Sequence, residues 1–245
     1  MLNIVIPMAG RGSRFSNAGY KLPKPLIDVG GKPMIERVVV NLTPQTDFRF
    51  IFICQKEHNE TYGLKQMLTD LSPGSIVIDV DGVTQGAACT VLYAREYIDN
   101  DSPLMIANSD QYVDIIIGDY IDQVSRRNLD GLIMTMKADD PKWSFVGLDD
   151  DSMVTRVVEK EVISDEATVG IYNFARGSDF VRCAELMIAE GNTVNGEYYV
   201  APVYNSLIAE GKRIGIYNVG SEAHGMYGLG IPKDLDLFLS LNIVS

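Results

Sequence analysis

Cysteine, histidine and tryptophan are scarce in this sequence, and long apolar runs are missing. Three cysteines (Cys54, Cys89 and Cys183) lie far apart among 245 residues. An odd, scattered set offers neither a disulfide framework nor a zinc spacing, and it fits a reducing cytoplasm. His58 and His224 have no partner at metal-ligand spacing and read as structural or surface residues. No stretch approaches the ~20 apolar residues of a membrane-spanning helix. The segment from Met1 lacks the basic start and cleavage pattern of a secretory leader. Residues 1–27 contain no Asp or Glu but hold four cations: Arg11, Arg14, Lys21 and Lys24. The whole chain carries −12, so the remainder carries −16. That balance argues against nucleic acid or an anionic membrane as the main partner, while the basic segment reads as a local anion site.

Over the first half, short apolar runs alternate with helical spacing. Strands are predicted at 2–7, 48–54, 75–80, 103–108 and 130–137, and helices at 33–42, 58–71, 86–98 and 115–127. This alternation predicts an α/β fold with a mostly parallel sheet, helices on both faces and right-handed crossovers. After about residue 140 the rhythm shortens. Strands at 144–149, 153–160 and 168–174 precede helices at 178–190 and 199–210, a strand at 213–218 and a last helix at 232–242. No linker rich in Pro, Gly or Ser separates the halves, so one domain with two lobes is expected over 1–245. The run Asp149–Asp151 reads as a solvated turn rather than a metal site.

The loop MAGRGSRF (8–15) follows the first strand. Gly10 and Gly12 let backbone approach a ligand closely, and successive N–H groups there converge on phosphate oxygens. Arg14 adds a permanent cation with a fork suited to phosphate. The dinucleotide fingerprint fails because Phe15 stands at its third glycine, and the P-loop pattern fails too. In PKPLIDVGGKPMI (23–35), Pro23 and Pro25 flank Lys24, and the expectation is a lysine held in a rigid extended segment.

GxGxRF followed by PKPLIxVxGKPMI resembles the sugar-phosphate nucleotidyltransferases, the nucleoside-diphosphate-sugar pyrophosphorylases. The resemblance extends through TQGAA (84–88), IANSD (106–110), VEK (158–160), VGIYNF (169–174), EYYVAP (197–202) and GLGIPKDL (228–235). It implies the Rossmann-like nucleotide-diphospho-sugar transferase fold, with a nucleotide-binding lobe of about 1–140 and a smaller acceptor-binding lobe of about 141–245. It also implies Mg²⁺-dependent transfer of a nucleoside monophosphate from a nucleoside triphosphate to a sugar 1-phosphate or related small phosphate. Pyrophosphate is released, and the product serves polysaccharide or capsule synthesis.

Site roles follow from the resemblance residue by residue. Ala9, Gly10, Arg11, Gly12 and Ser13 cradle the triphosphate, and Arg14 meets the departing pyrophosphate. Lys24 neutralises charge at the α-phosphate. Gln85 and Gly86 meet the nucleobase, Gly86 by letting a flat ring come close. Asp110 binds Mg²⁺. Glu159, Lys160, Gly170, Glu197 and Tyr198 face the acceptor, with Lys160 on its phosphate. One departure stands out: many members carry a second metal-binding aspartate in a segment like D-x-G-x-P, and here Gly228 occupies that place. Gly228 therefore keeps a second reading alive, a nucleotide-binding homologue without turnover. A glycosyltransferase on a related fold needs a D-x-D motif, and Asn108-Ser109-Asp110 lacks it. The nucleobase, the acceptor and self-association are not readable.

Overall fold

The structure is a computed structural model and describes residues 1–244. Its first half runs β1 (Leu2–Met8), α1 (Ser13–Asn17), α2 (Met34–Leu42), β2 (Phe48–Gln55), α3 (Lys56–Tyr62), α4 (Leu64–Leu71), β3 (Ile76–Val80), α5 (Ala87–Val91), α6 (Arg95–Ile98), β4 (Leu104–Ala107), β5 (Gln111–Val113), α7 (Ile117–Arg126) and β6 (Gly131–Lys137). The second half runs β7 (Ser144–Leu148), β8 (Val154–Glu159), β9 (Glu166–Phe174), α8 (Gly177–Ala189), α9 (Tyr204–Ala209), β10 (Ile214–Glu222), β11 (Gly225–Gly228) and α10 (Pro232–Ser240).

The strands form one mixed sheet in the order β3-β2-β1-β4-β9-β6-β10-β11-β5, with β7 pairing to both β8 and β9. β3, β2, β1 and β4 are mutually parallel, as the alternating pattern predicts. β9 lies between β4 and β6 and runs antiparallel to both. All nine of its residues are buried, so its apolar run resembles a buried parallel strand and does not reveal its direction. Because β9 from the second half sits beside β4 from the first, both halves share one sheet.

Side-chain alternation places a core on each face of that sheet. Ile4, Ile6, Phe50, Phe52 and Met105 pack on one side with Val38 of α2, Leu68 of α4 and Tyr120 of α7. Val5, Ile51, Ile53, Leu104 and Ile106 face the other side, against Val91 of α5, Phe180 of α8 and Leu207 of α9. A third, smaller cluster joins Phe15 to Ile27, Met34, Leu229, Leu235 and Phe238. Phe15, the residue that breaks the dinucleotide fingerprint, is thus the bolt that fastens the glycine loop to α10.

Several boundaries differ from the sequence reading. The helix expected at 58–71 is two helices, because Gly63 adopts φ 63° between α3 and α4. The helix expected at 86–98 is α5 and α6 joined by a 3₁₀ turn, Leu92–Ala94. A second 3₁₀ turn, Ala201–Val203, leads into α9. β5 and β11 were not expected. They are only three and four residues long and pair antiparallel with each other, setting Gly228 opposite Gln111.

Candidate active site

The parallel strands β1, β2, β3 and β4 end on the same edge of the sheet, where an open α/β sheet gathers ligands. The loop after β1 is held there by Gln55 at the end of β2. Its Nε2 donates to the carbonyls of Ala9 (3.0 Å) and Gly10 (2.9 Å). Gly12 takes φ 61°, and a Cβ on it would lie 3.4 Å from the Lys24 Cβ. Bare backbone at Gly12 therefore leaves the space against which Lys24 packs. Arg11 and Arg14 are exposed, and neither forms a side-chain hydrogen bond or ion pair among the described residues.

Lys24 is not extended, as its flanking prolines suggest. Pro23 is extended, but Lys24 opens a 3₁₀ turn, Lys24–Leu26, closed by Leu26 N–H donating to the Pro23 carbonyl at 2.9 Å. The turn still rigidifies the lysine, and it aims Nζ at Asp110 Oδ2, 2.9 Å away. These residues are 86 positions apart, and their side chains are 24% and 21% exposed, so the pair is only partly shielded from water. Asp110 follows β4 and rests on bare backbone: a Cβ on Gly230 would lie 2.5 Å from its Oδ2. The Asp110 carbonyl also accepts from the Leu229 N–H at 2.8 Å.

Gly228, at the expected place of a second metal aspartate, faces another carboxylate. A Cβ there would lie 3.2 Å from Oδ2 of Asp234, whose pKa is raised by burial. No group of three or more His, Cys, Asp and Glu side chains is placed to enclose a metal among the described residues. The glycine cradle at 230 leaves Asp110 room, and its hard oxygen suits Mg²⁺ that keeps waters and shares phosphate oxygens. The arrangement fits a cation brought in with a nucleotide rather than one caged by protein alone.

Gln85 and Gly86 meet the segment that holds the expected acceptor residues. The Tyr198 N–H donates to the Gln85 carbonyl at 2.8 Å, and the Tyr198 carbonyl accepts from the Ala88 N–H at 3.0 Å. Gly86 has φ 133°, and a Cβ on it would collide with the Tyr198 carbonyl oxygen. The close neighbour that Gly86 admits in this structure is thus backbone of the chain itself. Tyr198 packs its ring against the core on that face, and its hydroxyl donates to the Ile188 carbonyl at 3.4 Å. Its neighbour Tyr199 faces the site instead: Lys160 Nζ donates to the Tyr199 hydroxyl at 2.7 Å. Sequence reading missed Tyr199, since only alternation along the backbone separates two adjacent tyrosines.

Glu159 and Lys160 do not form the surface ion pair that their adjacency allows. Lys160 has φ 59°, a left-handed turn that sends the two side chains apart. Glu159 is buried, accepts a short hydrogen bond from the Ser144 hydroxyl, and has its pKa raised by burial. Hydrogen bonding to Tyr199 raises the Lys160 pKa, and Glu197, exposed nearby, adds to the shift. Gly170 takes φ 79°, and a Cβ there would collide with the Asn108 side-chain amide. Gln111 Oε1 lies 2.6 Å from the same point, buried and without a hydrogen-bond partner. Asn108 and Gln111 pack against Gly170, and neither is marked in the sequence by anything beyond its closeness to Asp110.

Lys24 thus pairs with Asp110 beside the glycine loop, and Lys160 meets Tyr199 next to buried Glu159. A crystal structure of the nucleoside-diphosphate-sugar pyrophosphorylase from Vibrio cholerae shares this fold with a TM-score of 0.82 and 26% identity, covering 97% of this chain and 99% of that one. The bifunctional protein GlmU of Enterococcus faecalis is 27% identical over 238 residues, 91% of this chain and 48% of that protein. A mannose-1-phosphate guanyltransferase of Candida albicans is 27% identical over 188 residues, 69% of this chain and 48% of its own. The chain spans about half the length of the curated relatives it matches. The family model described as nucleotidyl transferase matches residues 4–193, well over half of the sequence and including Arg14, Lys24, Asp110 and Lys160. The chain belongs to the nucleotidyl transferase family.

Proposed function

We propose that this protein transfers a nucleoside monophosphate from a nucleoside triphosphate to a sugar 1-phosphate or a related small phosphate, releasing pyrophosphate. The observation that carries the reading is the Lys24–Asp110 pair, 2.9 Å apart beside a glycine loop with two arginines that lack a side-chain partner among the described residues. Two anions must meet for this reaction, so the protein's task is positioning and charge stabilisation rather than a nucleophile of its own. An oxygen of the acceptor phosphate attacks the α-phosphorus, and the bond from that phosphorus to the bridging α–β oxygen breaks. The electron pair leaves on pyrophosphate.

In this reading the backbone of 9–13 cradles the triphosphate, Arg14 meets the leaving group, and Lys24 neutralises the α-phosphate. Asp110 is the ligand for Mg²⁺, which would supply Lewis-acid stabilisation of the phosphate oxygens. Lys160 takes the acceptor phosphate and exposed Glu197 faces the rest of the acceptor, while Glu159, buried against Ser144, and Gly170, covered by the Asn108 amide, support that edge from behind. The names of relatives that act on sugar 1-phosphates, such as the mannose-1-phosphate guanyltransferase, support a sugar acceptor. Synthesis of polysaccharide or capsule precursors in the cytoplasm is the setting that goes with it.

The test is pyrophosphate release from each nucleoside triphosphate mixed with a panel of sugar 1-phosphates and amine-bearing phosphates plus Mg²⁺. Release that needs both substrates supports the proposal. Nucleotide binding without release from any mixture would instead favour a binding homologue, the reading to which Gly228 points.

A further inference from the structure

Two glycines at the end of β11 each leave bare backbone toward a carboxylate. A Cβ on Gly230 would lie 2.5 Å from Asp110 Oδ2, and one on Gly228 would lie 3.2 Å from Asp234 Oδ2. The strand register brings the two places together. Gly228 stands opposite Gln111, the residue after Asp110, and residues so paired lie about 5 Å apart. Between the glycines, the Leu229 N–H donates to the Asp110 carbonyl at 2.8 Å. Asp234 itself comes from the first turn of α10. It is half-buried and forms no side-chain hydrogen bond or ion pair among the described residues. Lys142, the cation that could neutralise it, pairs with Glu222 at 3.0 Å instead. Arg14 of the glycine loop is among the charges that act on Asp234. Phe15, next to Arg14, packs in one cluster with Leu229 and with Leu235, the residue after Asp234. The packing of α10 thus delivers an uncommitted carboxylate to the junction of the glycine loop and the strand end beside Asp110.

We propose that Asp234 supplies from α10 the second carboxylate that Gly228 cannot supply from β11. The proposal rests on the nucleotidyl-transfer reading and deepens it. That reading gives the metal one protein ligand, Asp110, and treats Gly228 as a loss. Here the carboxylate has moved from strand to helix and reaches the same space. Mg²⁺ is usually held by one or two carboxylates together with phosphate oxygens and water, so Asp110 and Asp234 make a sufficient protein share. A half-buried carboxylate that no protein group satisfies is unfavourable for the fold alone, which a role toward a cation accounts for.

Electron paramagnetic resonance of Mn²⁺ tests the assignment without turnover. The full chain, in excess over a nucleoside triphosphate with a non-cleavable α–β bridge, is titrated with Mn²⁺. Asp234→Asn is expected to weaken Mn²⁺ binding about tenfold. Adding Gly228→Asp to that variant is expected to restore binding to within about threefold of the wild type, because the carboxylate returns to the same space from the strand. Gly228 has no left-handed φ, so its backbone accepts the side chain, and the nearest atom is the movable end of residue 234. A role for Asp234 confined to the start of α10 would lower the melting temperature and would not be repaired from residue 228. Mn²⁺ affinity unchanged within about twofold in Asp234→Asn, with binding lost in Asp110→Asn, would overturn the role of Asp234 and leave the nucleotidyl-transfer reading standing. Weakened binding that Gly228→Asp does not improve would overturn the relocation as well. A wild-type protein that binds neither the triphosphate nor Mn²⁺ would overturn the nucleotidyl-transfer reading and the proposal with it.

Discussion

Beside the glycine loop Arg11 and Arg14 stand unpaired among the described residues, whereas on the strand side Lys160 already donates to Tyr199 and Glu159 is already held by Ser144. The difference follows from burial. Exposed guanidinium groups keep their water, so leaving them without a protein partner costs little. Glu159 is buried, and a buried carboxyl without a hydrogen bond would be expensive. The loop side is therefore charged in advance for an anion. The strand side is internally satisfied, and under the proposed function an acceptor phosphate would take Lys160 from Tyr199. In the proposed reaction the exposed arginines meet the triphosphate without giving up a protein partner, whereas Lys24 exchanges Asp110, and Lys160 exchanges Tyr199, for phosphate.

Asp110→Asn is the strongest way to break the loop side. It should lower turnover by about 10²–10³-fold and flatten the response to Mg²⁺, read from initial rates across a metal titration. An unchanged metal response would remove Asp110 from that role. Gly86→Ala attacks the seam between the two sides, forcing a Cβ into the Tyr198 backbone at a φ that side chains rarely adopt. A loss of roughly 3 kcal/mol in stability is expected, measured by urea unfolding. Lys160→Ala should raise the acceptor KM about tenfold and leave the triphosphate KM where it was. Equal effects on both constants would mean that the sides are not separate.

The smallest effect concerns Glu159. Its pKa lies above the ordinary value of 4.5 because burial disfavours the charged form. A raised folded-state pKa gives stability that is full below about 4.5 and is lost as pH rises through the folded value. Glu159→Gln keeps a neutral side chain throughout. Its melting temperature should therefore gain on the wild type as pH is raised from about 4 to about 8. A constant difference would show that the buried carboxyl is not strained by ionisation.

Much of this molecule is legible in its sequence, and the failures have identifiable causes. The parallel strands announce themselves as apolar runs between helical stretches. β5 and β11 do not, because Gln111–Val113 and Gly225–Gly228 are too short for periodicity and become strands only by pairing with each other. The direction of β9 is hidden because a strand buried on both faces carries no alternation. At the candidate site, the glycine loop and Lys24 stand out from residue types alone as the expected place for an anion. The contact between Lys24 and Asp110 is not, since chain topology closes 86 intervening positions. Tyr199 was missed for a subtler reason: of two neighbouring tyrosines one turns to the core and one to Lys160, and their identical chemistry gives no clue to which.

The central claim is that Lys24 and Asp110 mark the reacting centre, and Lys24→Ala tests it most directly. With the triphosphate and acceptor that support turnover, the rate of pyrophosphate release should fall by about 10²–10³-fold while the protein stays folded. A variant that releases pyrophosphate at the wild-type rate would contradict the account.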